Sequence, residues 1–219
     1  MGFLVGNMKS DKKYWLLGGI MIILHIVGAT GSVLEDFRPL MQALTPLNLL
    51  ISCAMLLYAH QGEKTKMFSF FIIAACFGFS IEVLGVHSEI IFGSYTYGES
   101  LGFKLFSVPL IIGVNWFLLA LIFGSLTMPL KTHWWIKAVL ASLLMVAMDY
   151  LIEPVAILMD YWSWDQNQIP IRNYVGWFGG SLALQIVYHK LRFNKPSPLA
   201  IYLLISQLIF FISLHFFLL

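Results

Sequence analysis

Seven apolar runs of 18 to 25 residues, roughly 14–31, 39–60, 67–87, 105–127, 134–158, 173–190 and 198–219, follow one another with only short segments between them. About 20 consecutive apolar residues in a helix cross a hydrocarbon core about 30 Å thick, and a helix satisfies its backbone hydrogen bonds where there is no water. The sequence therefore predicts an all-α integral membrane bundle of about seven transmembrane helices, a single transmembrane helical domain over residues 1–219. With 59% hydrophobic and 11% charged residues and a mean hydropathy of +0.83, the chain lies outside the range of soluble domains. No internal repeat or low-complexity segment is evident, and no stretch is left over for an extramembrane domain.

Lys9, Lys12 and Lys13 before the first run, with Ala29, Thr30 and Gly31 after it, mimic a secretory signal; the run reads as a retained first helix. Orientation follows from the basic residues. Ten (Lys9, Lys12, Lys13, Lys64, Lys66, Lys131, Lys137, Lys190, Arg192 and Lys195) fall on the N-terminal side of the membrane, and three (Arg38, Lys104 and Arg172) on the other. This predicts a cytoplasmic N-terminus, an outer C-terminus and a multi-pass protein of the cell inner (plasma) membrane. The net charge of +2 is then a topology signal, with no basic surface suited to nucleic acid. Cys53 and Cys76 lie within apolar runs, so neither a disulfide nor a metal site is expected from them.

Acids inside such runs are the chemically informative residues. Glu82 in the third run and Asp149 in the fifth each lie fifteen residues from the start of the run, at Met67 and Trp134, a climb of roughly 22 Å. Both are thus expected at matching depth in the outer third of the bilayer. Glu153 follows Asp149 by four residues, and Asp160 follows Asp149 by eleven, one stripe if the helix continues. On the third run Glu89 shares a face with Glu82, Gly78 and Gly85, whose missing side chains allow close approach. Pro154 is expected to kink the fifth helix between Glu153 and the loop. One interfacial acid paired with Arg172 or Lys104 would be structural; three at similar depth with few cations nearby favour a functional site. Glu89, Glu99, Asp160 and Asp165 read as solvated loop acids. Asn48, Asn115, Gln185 and Gln207 read as hydrogen bonds between helices, and His25 and His215 as satisfied core histidines. His87, five residues after Glu82, is a possible proton relay.

The connections above these acids, 88–104 and 159–172, mix Tyr and Trp with Gly, Pro and Asn, and are expected to form outer lid loops with aromatic walls over an acidic floor. An interfacial aromatic belt alone would account for Tyr161, Trp162 and Trp164. Two patterns here, "E..GV....IFG.YTYG..LG.KL..VPL......W" from Glu82 to Trp116 and "D....EP....DYW.W.....P..N..GW" from Asp149 to Trp177, resemble the carotenoid biosynthesis membrane proteins that include the carotenoid 1',2'-hydratases. The resemblance covers roughly residues 67–180. It implies hydration of the terminal carbon–carbon double bond of an acyclic carotenoid end group (of lycopene or γ-carotene type) without a cofactor, the partners being a lipid-soluble carotenoid, water and membrane lipid. Asn173 belongs to the matched pattern and is carried over as a substrate-binding residue.

The residues suit that reaction. Hydrating an unconjugated trisubstituted alkene needs a proton on the less substituted carbon and water to capture the tertiary cation. Buried carboxyls close together can share protons, so that one of Glu82, Asp149 and Glu153 donates while an ionised partner deprotonates water. Electron-rich rings at Tyr95, Tyr97, Trp116, Tyr150, Trp162 and Trp177 are candidates to stabilise the cation. A carotenoid cyclase would use the same first step and capture the cation with a neighbouring double bond. A proton-coupled transporter is weakened by the lack of an inverted repeat, and a retinal photoreceptor by the lack of any lysine in residues 198–219.

Overall fold

The structure, a computed structural model, describes residues 12–193 and 195–219; Lys9, counted above for orientation, lies outside them. Among the described residues seven helices follow in order: α1 (Lys12–Val33), α2 (Arg38–Ala59), α3 (Lys64–Ser88), α4 (Ile111–Thr127), α5 (Trp134–Leu158), α6 (Ile171–Lys190) and α7 (Ala200–Leu218). Short strands lie between them: β1 (Tyr95–Tyr97), β2 (Lys104–Leu105), β3 (Val108–Pro109) and β4 (Trp162–Trp164). The protein is an all-α, multi-pass membrane bundle. Helices α1, α2, α3, α5 and α7 are each long and apolar enough to cross a membrane. Helix α4 has 17 residues, and α6 carries Arg172, Asn173, Gln185, His189 and Lys190 along its 20.

The expected run from 105 to 127 is helical only from Ile111. Residues 104–109 instead form a β2–β3 hairpin pairing Lys104 with Pro109 and Leu105 with Val108. Its two turn residues, Phe106 and Ser107, take φ of 51° and 64°, the paired positive values that a tight two-residue hairpin turn requires. Helix α5, by contrast, continues through Pro154 to Leu158. The acid stripe ends there: Asp160 sits in the following turn at φ 54°, and Glu89 leaves α3 in the left-handed conformation at φ 56°. Neither extends the column expected from the sequence.

Helix α4 is the pillar. Fourteen of its seventeen residues are buried, and it packs against α2, α3, α5, α6 and α7. A helix apolar all round can be buried on every side. Helix α1 closes the outside, packed on α2 and α7. Small residues let α3 and α4 touch: a Cβ on Gly113 would sit 2.5 Å from the carbonyl oxygen of Ala75, and one on Gly78 would collide with Trp116. Gly78 thus makes the space that brings the Trp116 indole one turn below Glu82.

Because Ala75 offers backbone rather than a movable side chain at that contact, Gly113→Ala is expected to lower stability by about 1–3 kcal/mol through overpacking. Gly19→Ala, where a Cβ meets nothing within 4 Å, should be neutral or slightly stabilising. Thermal unfolding of both variants in detergent checks this.

Candidate active site

The site is built where the late turns of α3 and α5 meet the early turns of α4 and α6. Glu82 comes from α3, Asp149 and Glu153 from α5, Trp116 from α4, and Asn173 and Trp177 from α6. All three carboxyls are buried, none more than 4% exposed. Glu153 follows Asp149 by one helical turn, so the two project from one face.

The fourth wall comes from the two long connections, which meet as an antiparallel ribbon. Strand β1 pairs with β4 in the register Tyr95↔Trp164, Thr96↔Ser163 and Tyr97↔Trp162. Alternation along a strand turns Tyr95, Tyr97, Trp162 and Trp164 to one side and leaves Thr96 and Ser163 exposed on the other, hydroxyl to hydroxyl at 3.1 Å. Backbone bonds from Gly98 N–H to the Tyr161 carbonyl (3.0 Å) and from Asp165 N–H to the Ser94 carbonyl (3.0 Å) lengthen the ribbon. The Asp160 carboxylate accepts from Glu99 N–H at 3.0 Å and from the Ser100 hydroxyl at 3.3 Å. Expected as a plain solvated acid, Asp160 ties the two connections together.

Each inward pair of rings serves one carboxylate. The Tyr95 and Tyr97 hydroxyls donate to Oε2 of Glu82 at 2.5 and 2.7 Å, and Trp116 Nε1 donates to its Oε1 at 2.9 Å. Trp162 and Trp164 donate from Nε1 to Oε2 of Glu153 at 2.9 and 2.8 Å. Asn173 Nδ2 reaches Oε1 of Glu153 at 2.9 Å and Oδ2 of Asp149 at 3.0 Å, bridging the pair. Oδ1 of Asp149 is buried without a partner among the described residues. Burial, and then the Glu82 charge beside them, push the Tyr95 and Tyr97 phenols well above their ordinary range, so both remain O–H donors.

No described cation pairs with any of the three acids. Arg172 donates to the Glu89 carbonyl at 3.0 Å, and Lys104 to Glu99 and the Tyr97 carbonyl, each at 2.8 Å. Three buried carboxyls without a cation cannot all be ionised. Among the described residues no set of three or more His, Cys, Asp or Glu is placed to hold a metal ion.

Between these groups lies a narrow cavity of about 20 Å³, lined by Glu82, Glu153, Asn115, Asn173, two aliphatic or phenyl side chains (Ile112, Phe92) and the rings of Tyr95, Tyr97, Trp116, Trp162, Trp164 and Trp177. Trp116 and Trp177 stack at 4.3 Å between centroids. Of the residues singled out from sequence, Asp149 stands behind the cavity on Asn173. Tyr150 does not reach it: the next position round the helix from Asp149, it is 69% exposed and lies against Tyr174. His87 is exposed in the last turn of α3 and does not line the cavity either. Trp164, for which an interfacial belt alone would account from sequence, joins the site; its spacing of two from Trp162, matching that of Tyr95 and Tyr97, is the signal that marks it.

Fold and site together define a polytopic helical membrane protein with a cation-free cluster of carboxyls under an aromatic cover. The sequence matches the carotenoid biosynthesis protein family over residues 44–219, and the chain belongs to that family. It is similar to the bisanhydrobacterioruberin hydratase of Haloarcula japonica, 26% identical over 122 residues, a match covering 49% of this chain and 40% of that protein. The chain therefore aligns with less than half the length of this relative. No solved structure matches it.

Tyr95 and Tyr97 share one acceptor oxygen, so each can cover for the other's loss. Tyr95→Phe and Tyr97→Phe are each expected to cost about 1 kcal/mol, and the double variant more than their sum, since it strips Oε2 of Glu82 entirely. Thr96→Val, on the exposed side, should stay within about 0.5 kcal/mol. Denaturant unfolding of the four proteins tests this.

Proposed function

We propose that the protein adds water across the terminal 1',2' double bond of an acyclic carotenoid end group to give a tertiary alcohol. The observation that carries this reading is the set of three buried carboxyls, free of any cation, around a ring-lined cavity at membrane depth. Family membership and the similarity to a protein named as a hydratase support it.

The donor pattern suggests the division of labour. Asp149 and Glu153 meet at one amide and have no cation between them, so the pair holds a proton and titrates as a unit. Glu153 faces the cavity and delivers that proton to the less substituted carbon: the alkene π pair forms the new C–H bond, and the other carbon becomes a tertiary cation. The faces of Trp116, Trp162, Trp164 and Trp177 stabilise the cation. Glu82, solvated as an anion by three donors, orients water and takes its proton as the oxygen bonds to the cation. Water then returns the proton from Glu82 to the pair, leaving the protein unchanged. Asn173 holds the pair in register, and Tyr95 and Tyr97 hold Glu82.

The ribbon acts as a lid on the outer face of the cell inner (plasma) membrane, an orientation supported by the excess of lysine and arginine at the opposite end. A carotenoid confined to hydrocarbon would then approach sideways between helices, and water from the interface.

Expression in a bacterium accumulating lycopene or γ-carotene should yield a more polar pigment, heavier by one water, with an unchanged visible spectrum. Glu82→Gln, Asp149→Asn and Glu153→Gln should each cut its formation by about 100-fold or more with the protein still inserted. An isomer of unchanged mass would indicate cyclisation instead. Near-normal activity in all three variants would overturn the mechanism.

A further inference from the structure

The acid pocket is small. At about 20 Å³ it has room for about one water molecule, and an alkene end has to come to its edge. Ile112, Asn115 and Trp162 form the edge that opens on apolar space, since they also line a groove of about 210 Å³ walled mainly by α1, α2 and α7. Ile112 and Asn115, three residues apart on α4, share one face of that helix. Asn115 thus stands between the carboxyls and the wider space.

Its amide is uncommitted. In the same pocket Tyr95, Tyr97 and Trp116 donate to Glu82, while Trp162, Trp164 and Asn173 donate to Glu153. The Trp177 indole has no partner among the described residues, but it can only donate. Sequence alone reads Asn115 as a hydrogen bond between helices; among the described residues it makes none, although its amide can both donate and accept. A structural amide of this bundle behaves differently: Gln185 is anchored through Nε2 on the Ala120 carbonyl at 2.9 Å and lines neither space.

Water attacks a tertiary cation through a lone pair, so both of its O–H bonds must be turned away from the carbon. One acceptor fixes one O–H and leaves the molecule free to swivel; two acceptors fix both. Glu82 is the first acceptor in the hydration reading. Asn115 lines the pocket with it and is next in the chain to Trp116, whose Nε1 lies 2.9 Å from Oε1 of Glu82.

We infer that Asn115 holds the attacking water, its Oδ1 accepting one O–H while Glu82 accepts the other, so that a lone pair is aimed at the cation on the pocket's edge. This deepens the hydration reading and rests on it. As that lone pair forms the C–O bond, the O–H toward Glu82 breaks and its proton passes to the carboxylate. The O–H on Asn115 stays as the hydroxyl of the alcohol. Without the amide, the cation takes another exit: it gives a proton, from the carbon just protonated or from a methyl, to an ionised carboxylate and returns as an alkene.

The test uses the full chain in lipid nanodiscs loaded with lycopene or γ-carotene, in heavy water at early times. Mass spectrometry reads hydrated product and deuterium in the recovered carotenoid. The wild type should hydrate with little deuterium in what remains. Asn115→Leu, close in shape but without an acceptor, should slow hydration about tenfold or more. It should still protonate the alkene, so the ratio of deuterium exchange to hydration rises about tenfold. Asn115→Asp, which keeps an acceptor oxygen in place, should return that ratio to near the wild-type value. Glu153→Gln, without its proton, should show neither exchange nor hydration. Asn115→Ala carries the same comparison if the leucine variant fails to insert. A hydrating wild type whose Asn115 variants keep its rate, or lose exchange and hydration together, would overturn the inference alone. A wild type that forms no hydrated product overturns the hydration reading and this inference with it.

Discussion

A carboxylate in the interior of a membrane protein must be solvated by something, and here no lysine, arginine or histidine among the described residues does it. The donors are phenols, indoles and one amide: Tyr95, Tyr97 and Trp116 around Glu82, Trp162, Trp164 and Asn173 around Glu153. Tyrosine and tryptophan combine a large apolar ring with a polar tip. The same side chains can therefore wall a cavity for hydrocarbon and hydrogen-bond an acid at its floor. A cation would have done the second job only, and would have fixed the acids as ion pairs. Much of the surrounding architecture follows from the need to aim these tips, from the glycine at position 78 that admits Trp116 to the strand pairing that turns four rings inward.

The helical class and most helix limits were legible because apolar runs in a membrane protein are long and uninterrupted. Glu82, Asp149 and Glu153 were legible for the complementary reason, as acids where solvation is scarce. What the sequence hid was pairing at long range. Strands β1 and β4 are about 67 residues apart, as Thr96 and Ser163 show, and each is only three residues long. The β2–β3 hairpin was absorbed into an apolar run because leucine, phenylalanine and valine carry the same hydropathy in a turn as in a helix. Tyr150 was misplaced by proximity to Asp149: adjacent helical residues point about 100° apart. Asn48, Gln185 and Gln207 read as interhelical hydrogen bonds, yet the amide oxygen of each is buried without a partner among the described residues; composition does not say whether an amide has found one.

Two cavities draw on different parts of the chain. Rings and acids from α3 to α6 and the ribbon surround one; α1, α2 and α7 supply most of the apolar lining of the other. Ile112, Asn115 and Trp162 line both. Changes in α1, α2 or α7 can alter the apolar space without touching any of the three carboxyls.

The pillar helix is short. At 17 residues and 1.5 Å per residue, α4 spans about 26 Å, less than a hydrocarbon core of about 30 Å. Gly113, near its start, lies against Ala75, and α3 runs on for thirteen more residues to Ser88, roughly 20 Å of helix beyond the contact. The bundle therefore encloses a well: tall staves around a sunken base, with the ribbon dropped in as a stopper. How far below the rim the acids lie is set by the length of one buried helix and not by the loops. The pillar sets the level of the floor, while the ribbon above it brings down the rings that solvate the acids there.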